Sequence, residues 1–172
     1  GRVKTLAQCF NEAGYATGYV GKWHLATDRL AGIDYEQSAI PAERRGGYKD
    51  YWMAADVLEF TSHGYNGYVY NADNERVPFM GYRADCINNF AIDFLHGRKE
   101  QVEPFFLFIS QIEPHHQNDR RRYEGPDGSR AQFADFQPPW DLAACSRACA
   151  QGTDVSNWRE NYPDYLGCCH SL

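Results

Sequence analysis

Between residues 83 and 109 an amphipathic helical pattern gives way, after a short polar loop, to an unbroken apolar run, and few architectures accept that order. Ile87, Phe90, Ala91, Phe94 and Leu95 recur at helical spacing, with Gly97 as a stop signal. Pro104 then opens Phe105-Phe106-Leu107-Phe108-Ile109. Five apolar residues in a row lack the alternation of a half-solvated strand, so they read as a buried strand at the centre of a parallel sheet. A long amphipathic helix, a short loop and a continuous apolar strand make a βαβ-type unit, which puts the chain in the α/β class.

The flanking segments fit that class. Val3, Leu6, Ala7, Phe10 and Ala13 lie at helical spacing before Gly14, and residues 15–23 read as a short strand running into a tight loop. Residues 26–50 are polar and irregular, and 51–60 are expected to form a short helix. Residues 65–71 alternate as a strand, Asp73-Asn74 is a turn, and Val77-Pro78-Phe79 pairs back as an edge strand. Residues 114–141 form a long polar loop, and structureless loops of that length in compact domains are usually functional. Residues 142–160 carry little apolar periodicity, and residues 162–172 look like the start of another helix.

Composition narrows the function. Hydrophobic residues make up 43% of 172, enough for a real core. No apolar stretch approaches the roughly 20 residues that span a bilayer. A net charge of −6 argues against electrostatic binding of nucleic acid. The basic run Arg120-Arg121-Arg122 reads as a solvated loop or, less simply, an anion-binding one. The six cysteines have no framework spacing. Cys145/Cys149 and Cys168/Cys169 are close enough for zinc but lack the two-residue gap of a zinc knuckle, so free, mostly buried thiols are expected. Both ends break off inside patterned segments, so the sequence is expected to be an internal part of a longer chain.

The chemistry concentrates in Gly14-Tyr15-Ala16-Thr17-Gly18-Tyr19-Val20-Gly21-Lys22-Trp23-His24-Leu25. Lys22 and His24 are two apart at a strand's C-terminal end, where side chains share a face and open α/β sheets hold their ligands. An ammonium beside an imidazole suits an oxyanion: one neutralises charge and the other moves a proton. An exposed lysine next to a packed histidine would give the same pattern. Gly18 and Gly21 leave room for tight turns or close backbone approach. The apolar strand at 105–109 delivers Glu113-Pro114-His115-His116 into the long loop, which suits a rigidly held acid or ligand at His115. His116 is adjacent and on an extended chain points the other way.

The first string resembles the second signature of the sulfatase family, Gly-Tyr-x-Thr-x-x-x-Gly-Lys-x-His, at every fixed position. The apolar strand with its Pro114-His115 step and the segment Asn161-Tyr162-Pro163-Asp164-Tyr165-Leu166-Gly167 resemble two later blocks of that family, in the same order. Ala26 departs from the family's usual glycine, and residues 142–160 match no block and read as an insertion. The resemblance covers nearly the whole chain. It implies an alkaline-phosphatase-like sandwich with a mixed, mostly parallel central sheet flanked by helices, of which residues 1–172 are a part.

It also implies hydrolysis of a sulfate ester, a small molecule or a carbohydrate, to alcohol and sulfate, with a formylglycine nucleophile over calcium. By that likeness Lys22 binds a sulfate oxygen and the nucleophile, and His24 hydrogen-bonds the formylglycine. His115 binds sulfate and protonates the leaving oxygen, with His116 at the substrate. The nucleophile signature, Cys/Ser-x-Pro/Ala-x-Arg, is absent here, since Cys145-Ser146-Arg147 lacks its small third residue. The family's calcium ligands also fall outside this stretch, so the chain alone is expected to be inactive. Members are often periplasmic, secreted or lysosomal, and the compartment stays open. A phosphatase or phosphonate hydrolase of the same superfamily, or a non-catalytic oxyanion-binding domain, would carry the same lysine and histidines.

Overall fold

The computed structural model describes residues 3–115, 122–137 and 158–172, with backbone alone at 158–160. Residues 3–112 belong to one compact unit and the described residues from 113 onward to a second. The first unit opens with helix α1 (Leu6–Glu12), started by a capping box in which Thr5 accepts from the Gln8 N–H while Gln8 reaches back to Thr5. Gly14, at φ 83°, ends it, a left-handed step that glycine takes without strain.

Strand β1 (Ala16–Lys22) follows, then two 3₁₀ turns, strand β2 (Tyr51–Ala55), the single turn α2 (Leu58–Thr61) and the hairpin β3 (Tyr65–Tyr70) and β4 (Arg76–Tyr82). Helix α3 (Arg83–Gly97) and strand β5 (Phe105–Ser110) complete the unit. The sheet order is β4-β3-β2-β1-β5. β1 pairs in parallel with both β2 and β5, and β3 is antiparallel to β2 and β4. The result is a mixed sheet with helices, in the α/β class.

Alternate residues feed two cores. Tyr19 and Ala54 join Ala7, Trp23, Ile40, Tyr48 and Trp52 on the face that carries α1 and the 26–50 segment. Val20 and Ala55 join Leu58, Val69, Phe79, Cys86, Ile87 and Ile112 on the face under α3. Arg45 fastens the 26–50 segment: its guanidinium donates to the carbonyls of Ile40 and Ala72, both at 2.9 Å, and lies 5.1 Å over the Trp52 ring. Thr17, fully buried, donates to Asn11 Oδ1 at 3.0 Å, while its N–H donates to Asp50 at 2.8 Å, tying β1 to α1 and to the approach of β2.

Three expectations change. Residues 51–60 are not one helix but β2 followed by α2, because Tyr51-Trp52-Met53-Ala54-Ala55 fills the parallel slot beside β1, from Gly18↔Tyr51 to Lys22↔Ala55. The apolar run at 105–109 is β5, but among the described residues it is the outermost strand, with Phe105, Phe108 and Ile109 each more than 40% exposed. Leu95 is exposed too, so the buried face of α3 is Ile87, Ala91 and Phe94, with Cys86 beside them. No disulfide joins the described cysteines, of which Cys86 and Cys168 are buried and Cys9 and Cys169 exposed. Cys145 and Cys149 lie outside the described residues.

In the second unit α4 (Ser129–Gln132) packs on α5 (Trp158–His170). The contact depends on Gly167, where an added Cβ would come within 2.9 Å of Ser129 Cβ. Arg130 pairs with Asp164 across it, and Tyr123 and Phe136 pack on Tyr165 and Tyr162. Arg122 is exposed and 3.5 Å from Glu124; Arg120 and Arg121 lie outside the described residues. No helix among the described residues is long and apolar enough to cross a membrane.

Candidate active site

The parallel strands β5, β1 and β2 end almost level, with Gly21 opposite Ser110 on one side and Ala54 on the other. Gly21 takes φ 105°, and a Cβ there would lie 2.1 Å from the Ser110 carbonyl oxygen, so the close approach of β1 to β5 requires glycine. Lys22 is the last residue of β1. Its backbone carbonyl accepts from the Tyr19 hydroxyl. Tyr19 is buried among Trp23, Tyr48, Trp52 and Phe108, and that burial pushes its phenol up to about 12, so it remains a donor throughout neutral pH.

Beyond Lys22 the chain stays against β2: Trp23 N–H donates to the Ala55 carbonyl at 2.9 Å and His24 N–H to the Asp56 carbonyl at 2.8 Å. His24 is exposed and takes the left-handed conformation, φ 51°. The Asp56 carboxylate holds the next step. It is fully buried and accepts from Leu25 and Ala26 at 3.0 and 2.9 Å through one oxygen and from Thr27 at 2.9 Å through the other. Three backbone donors on one carboxylate fix a loop that has no regular ladder of its own.

The Lys22 ammonium lies 2.6 Å from Glu59 Oε1 on α2, with the two side chains 13% and 4% exposed. An ammonium has three N–H donors. One is engaged by Glu59, and the others can meet an oxyanion at the C-terminal edge of the sheet.

Lys22, ending β1, and His24, in the loop that follows, therefore stand at the expected edge of the sheet. The alternation that would give them a common face stops at Lys22, because His24 has left the extended conformation. His115 is described and partly buried, but it belongs to the second unit; His116 lies outside the described residues. Neither Asp56 nor Glu59 is among the site residues expected from the sequence, although a local signal marks them: two carboxylates interrupt the apolar stretch 52–60, and a charge within a buried segment needs a partner.

The sulfatase family profile matches residues 1–171. The chain belongs to the sulfatase family. This sulfatase chain is 33% identical over 140 residues to an ulvan-active sulfatase of Formosa agariphila, covering 80% of the chain and 24% of that protein. It is 29% identical over 115 residues to an N-acetylglucosamine-6-O-sulfatase of Bacteroides thetaiotaomicron, covering 67% and 17%. A Bacteroides fragilis protein assigned as the sulfatase yidJ shares its fold with a TM-score of 0.66 at 22% identity, over 95% of this chain and 36% of that one. The sulfatase chain thus spans a quarter or less of the length of these two curated relatives.

Sulfatases as a family imply calcium and a formylglycine. Among the described residues no group of three or more His, Cys, Asp and Glu side chains is arranged to hold a metal ion. Asp56 spends both oxygens on backbone N–H groups and Glu59 is engaged by Lys22, so neither fits a calcium cage of six to eight oxygens.

Proposed function

We propose that the full-length protein hydrolyses a sulfate ester to an alcohol and sulfate, and that this chain supplies part of its active site. Lys22 carries the reading. It stands in the family's signature at the C-terminal edge of a parallel strand, with an ammonium held in a largely buried setting and donors left over. In this reading Lys22 binds a sulfate oxygen and stabilises the charge that develops as the S–O bond breaks. His24, exposed in the adjoining loop, moves a proton beside it. His115 binds sulfate and gives a proton to the leaving oxygen, and His116 contacts the substrate; both assignments rest on the family likeness alone. Calcium and the nucleophile would come from outside these residues, so the 172 residues alone are expected to leave a sulfate ester intact.

The substrate class favoured is a carbohydrate sulfate, on the names of the relatives. The test is sulfate release by the full-length protein from sulfated ulvan oligosaccharides, N-acetylglucosamine 6-sulfate and an aryl sulfate, with an aryl phosphate as the competitor. Sulfate release is expected, and Lys22→Ala should lower kcat by about 100- to 1,000-fold, the effect of losing one oxyanion donor. Phosphate release without sulfate release would make the protein a phosphatase of the same superfamily.

A further inference from the structure

Glu59 is a buried charge whose carboxylate is only half engaged. Its side chain is 4% exposed, one oxygen is 2.6 Å from Lys22 Nζ, and the other, Oε2, is buried and accepts no hydrogen bond among the described residues. A carboxylate taken out of water with half its acceptor capacity unfilled is a net cost to the fold unless something else requires it. Structural carboxylates in the same segment look different: Asp56, three residues earlier, fills both oxygens with backbone N–H groups.

The mount under Glu59 is rigid. Leu58 is fully buried, Ser62 Oγ donates to the Leu58 carbonyl at 2.6 Å, and Phe60 N–H donates to the Val57 carbonyl at 2.9 Å. Ser62 also bridges Gly67 on β3, where a Cβ would come within 2.4 Å of Ser62 Cβ. A single helical turn fixed at both ends presents a carboxylate to the end of β1.

We propose that Glu59 is a positioning residue of the active site: it acts through Lys22, holding the ammonium at the strand's end so that its remaining N–H donors face the sulfate group. The pair is neutral as a whole, so a sulfate oxygen is met by oriented N–H bonds rather than by a free charge able to swing away. This inference rests on the reading of Lys22 as a sulfate-binding residue.

The test compares Glu59→Gln and Glu59→Asp in the full-length protein, using p-nitrophenyl sulfate turnover, sulfate affinity by calorimetry and a thermal melt for each variant. Glutamine keeps the shape and removes the charge; aspartate keeps the charge on a shorter stem. A positioning role predicts that E59Q lowers kcat by about 10- to 100-fold, as a misplaced group does, and that E59D recovers part of the loss. Wild-type kcat in E59Q, or E59Q matching or exceeding E59D, would overturn it, since packing alone favours the isostere. Lys22→Ala separates the two claims. If K22A loses turnover and E59Q does not, only the role of Glu59 falls; if K22A turns over normally, the role of Lys22 falls and Glu59 with it. A crystal structure of the wild-type protein soaked in inorganic sulfate gives a second test that needs no variant. Lys22 Nζ is expected within about 3 Å of both Glu59 and a sulfate oxygen, and an ammonium that leaves Glu59 to reach sulfate refutes the proposal.

Discussion

At the end of β1 three side chains do work that their neighbours in sequence could not. Lys22 leaves the strand into the reach of Glu59, His24 turns the chain left-handed, and Asp56 gathers the N–H groups of the three residues that follow. Asp56→Ala would strand those donors, of which Ala26 N–H lies in the core. Leaving a buried donor unsatisfied costs about 1–3 kcal/mol, so the unfolding free energy from urea titration should fall by about that much, with the midpoint moving to lower urea. Turnover should fall as well, because the loop that carries His24 loses its fixed backbone. An Asp56→Ala protein of unchanged stability would mean that water replaces the carboxylate at no cost.

The elements differ in how firmly they are held. β1 is covered on both sides by parallel neighbours, whereas β5 ends the sheet with Phe105, Phe108 and Ile109 partly in solvent. A strand edge offers unpaired N–H and C=O groups, and apolar side chains along it make it a template for another chain. The 172 residues expressed by themselves should therefore self-associate in a concentration-dependent way, read by size-exclusion chromatography with light scattering. Ile109→Lys, which puts a charge on that edge, should shift the profile toward monomer. A monodisperse monomer with a cooperative melt above about 50 °C, within the mesophile range, would show that the edge is harmless.

Across the first unit the aromatic residues set a limit at high pH. Burial raises the phenols of Tyr19 and Tyr51 to about 12, Asp93 adding to the effect at Tyr51. An unfolded tyrosine titrates near 10. Between those values the folded state keeps protons that the unfolded state has lost, so unfolding is favoured as pH rises. Stability from these two groups is complete below about pH 10 and is lost progressively as pH climbs through about 12. Tyrosinate absorbance and circular dichroism followed together should show the two phenols ionising with unfolding; ionisation well before any loss of structure would mean that both rings are accessible.

Much of this molecule could be read from the sequence because its signals are local. Periodicity marks α1, α3 and β3, and β-branched and aromatic composition marks β1; Gly14 marks a stop; and the string from Gly14 to Leu25 carries its chemistry in consecutive residues. Composition and spacing alone also put Lys22 and His24 at a strand end. What the tertiary structure decided depends on residues far apart in the chain. Tyr51-Trp52-Met53-Ala54-Ala55 is a strand because a parallel slot beside β1 accepts it, and the apolar run of β5 is an edge because of its place in the sheet order. Glu59 meets Lys22 across 37 positions and Asp56 meets Leu25 across 31. Those contacts follow from the register of β2 against β1 and the length of the turn after it, and neither quantity is written in the pattern of either segment alone.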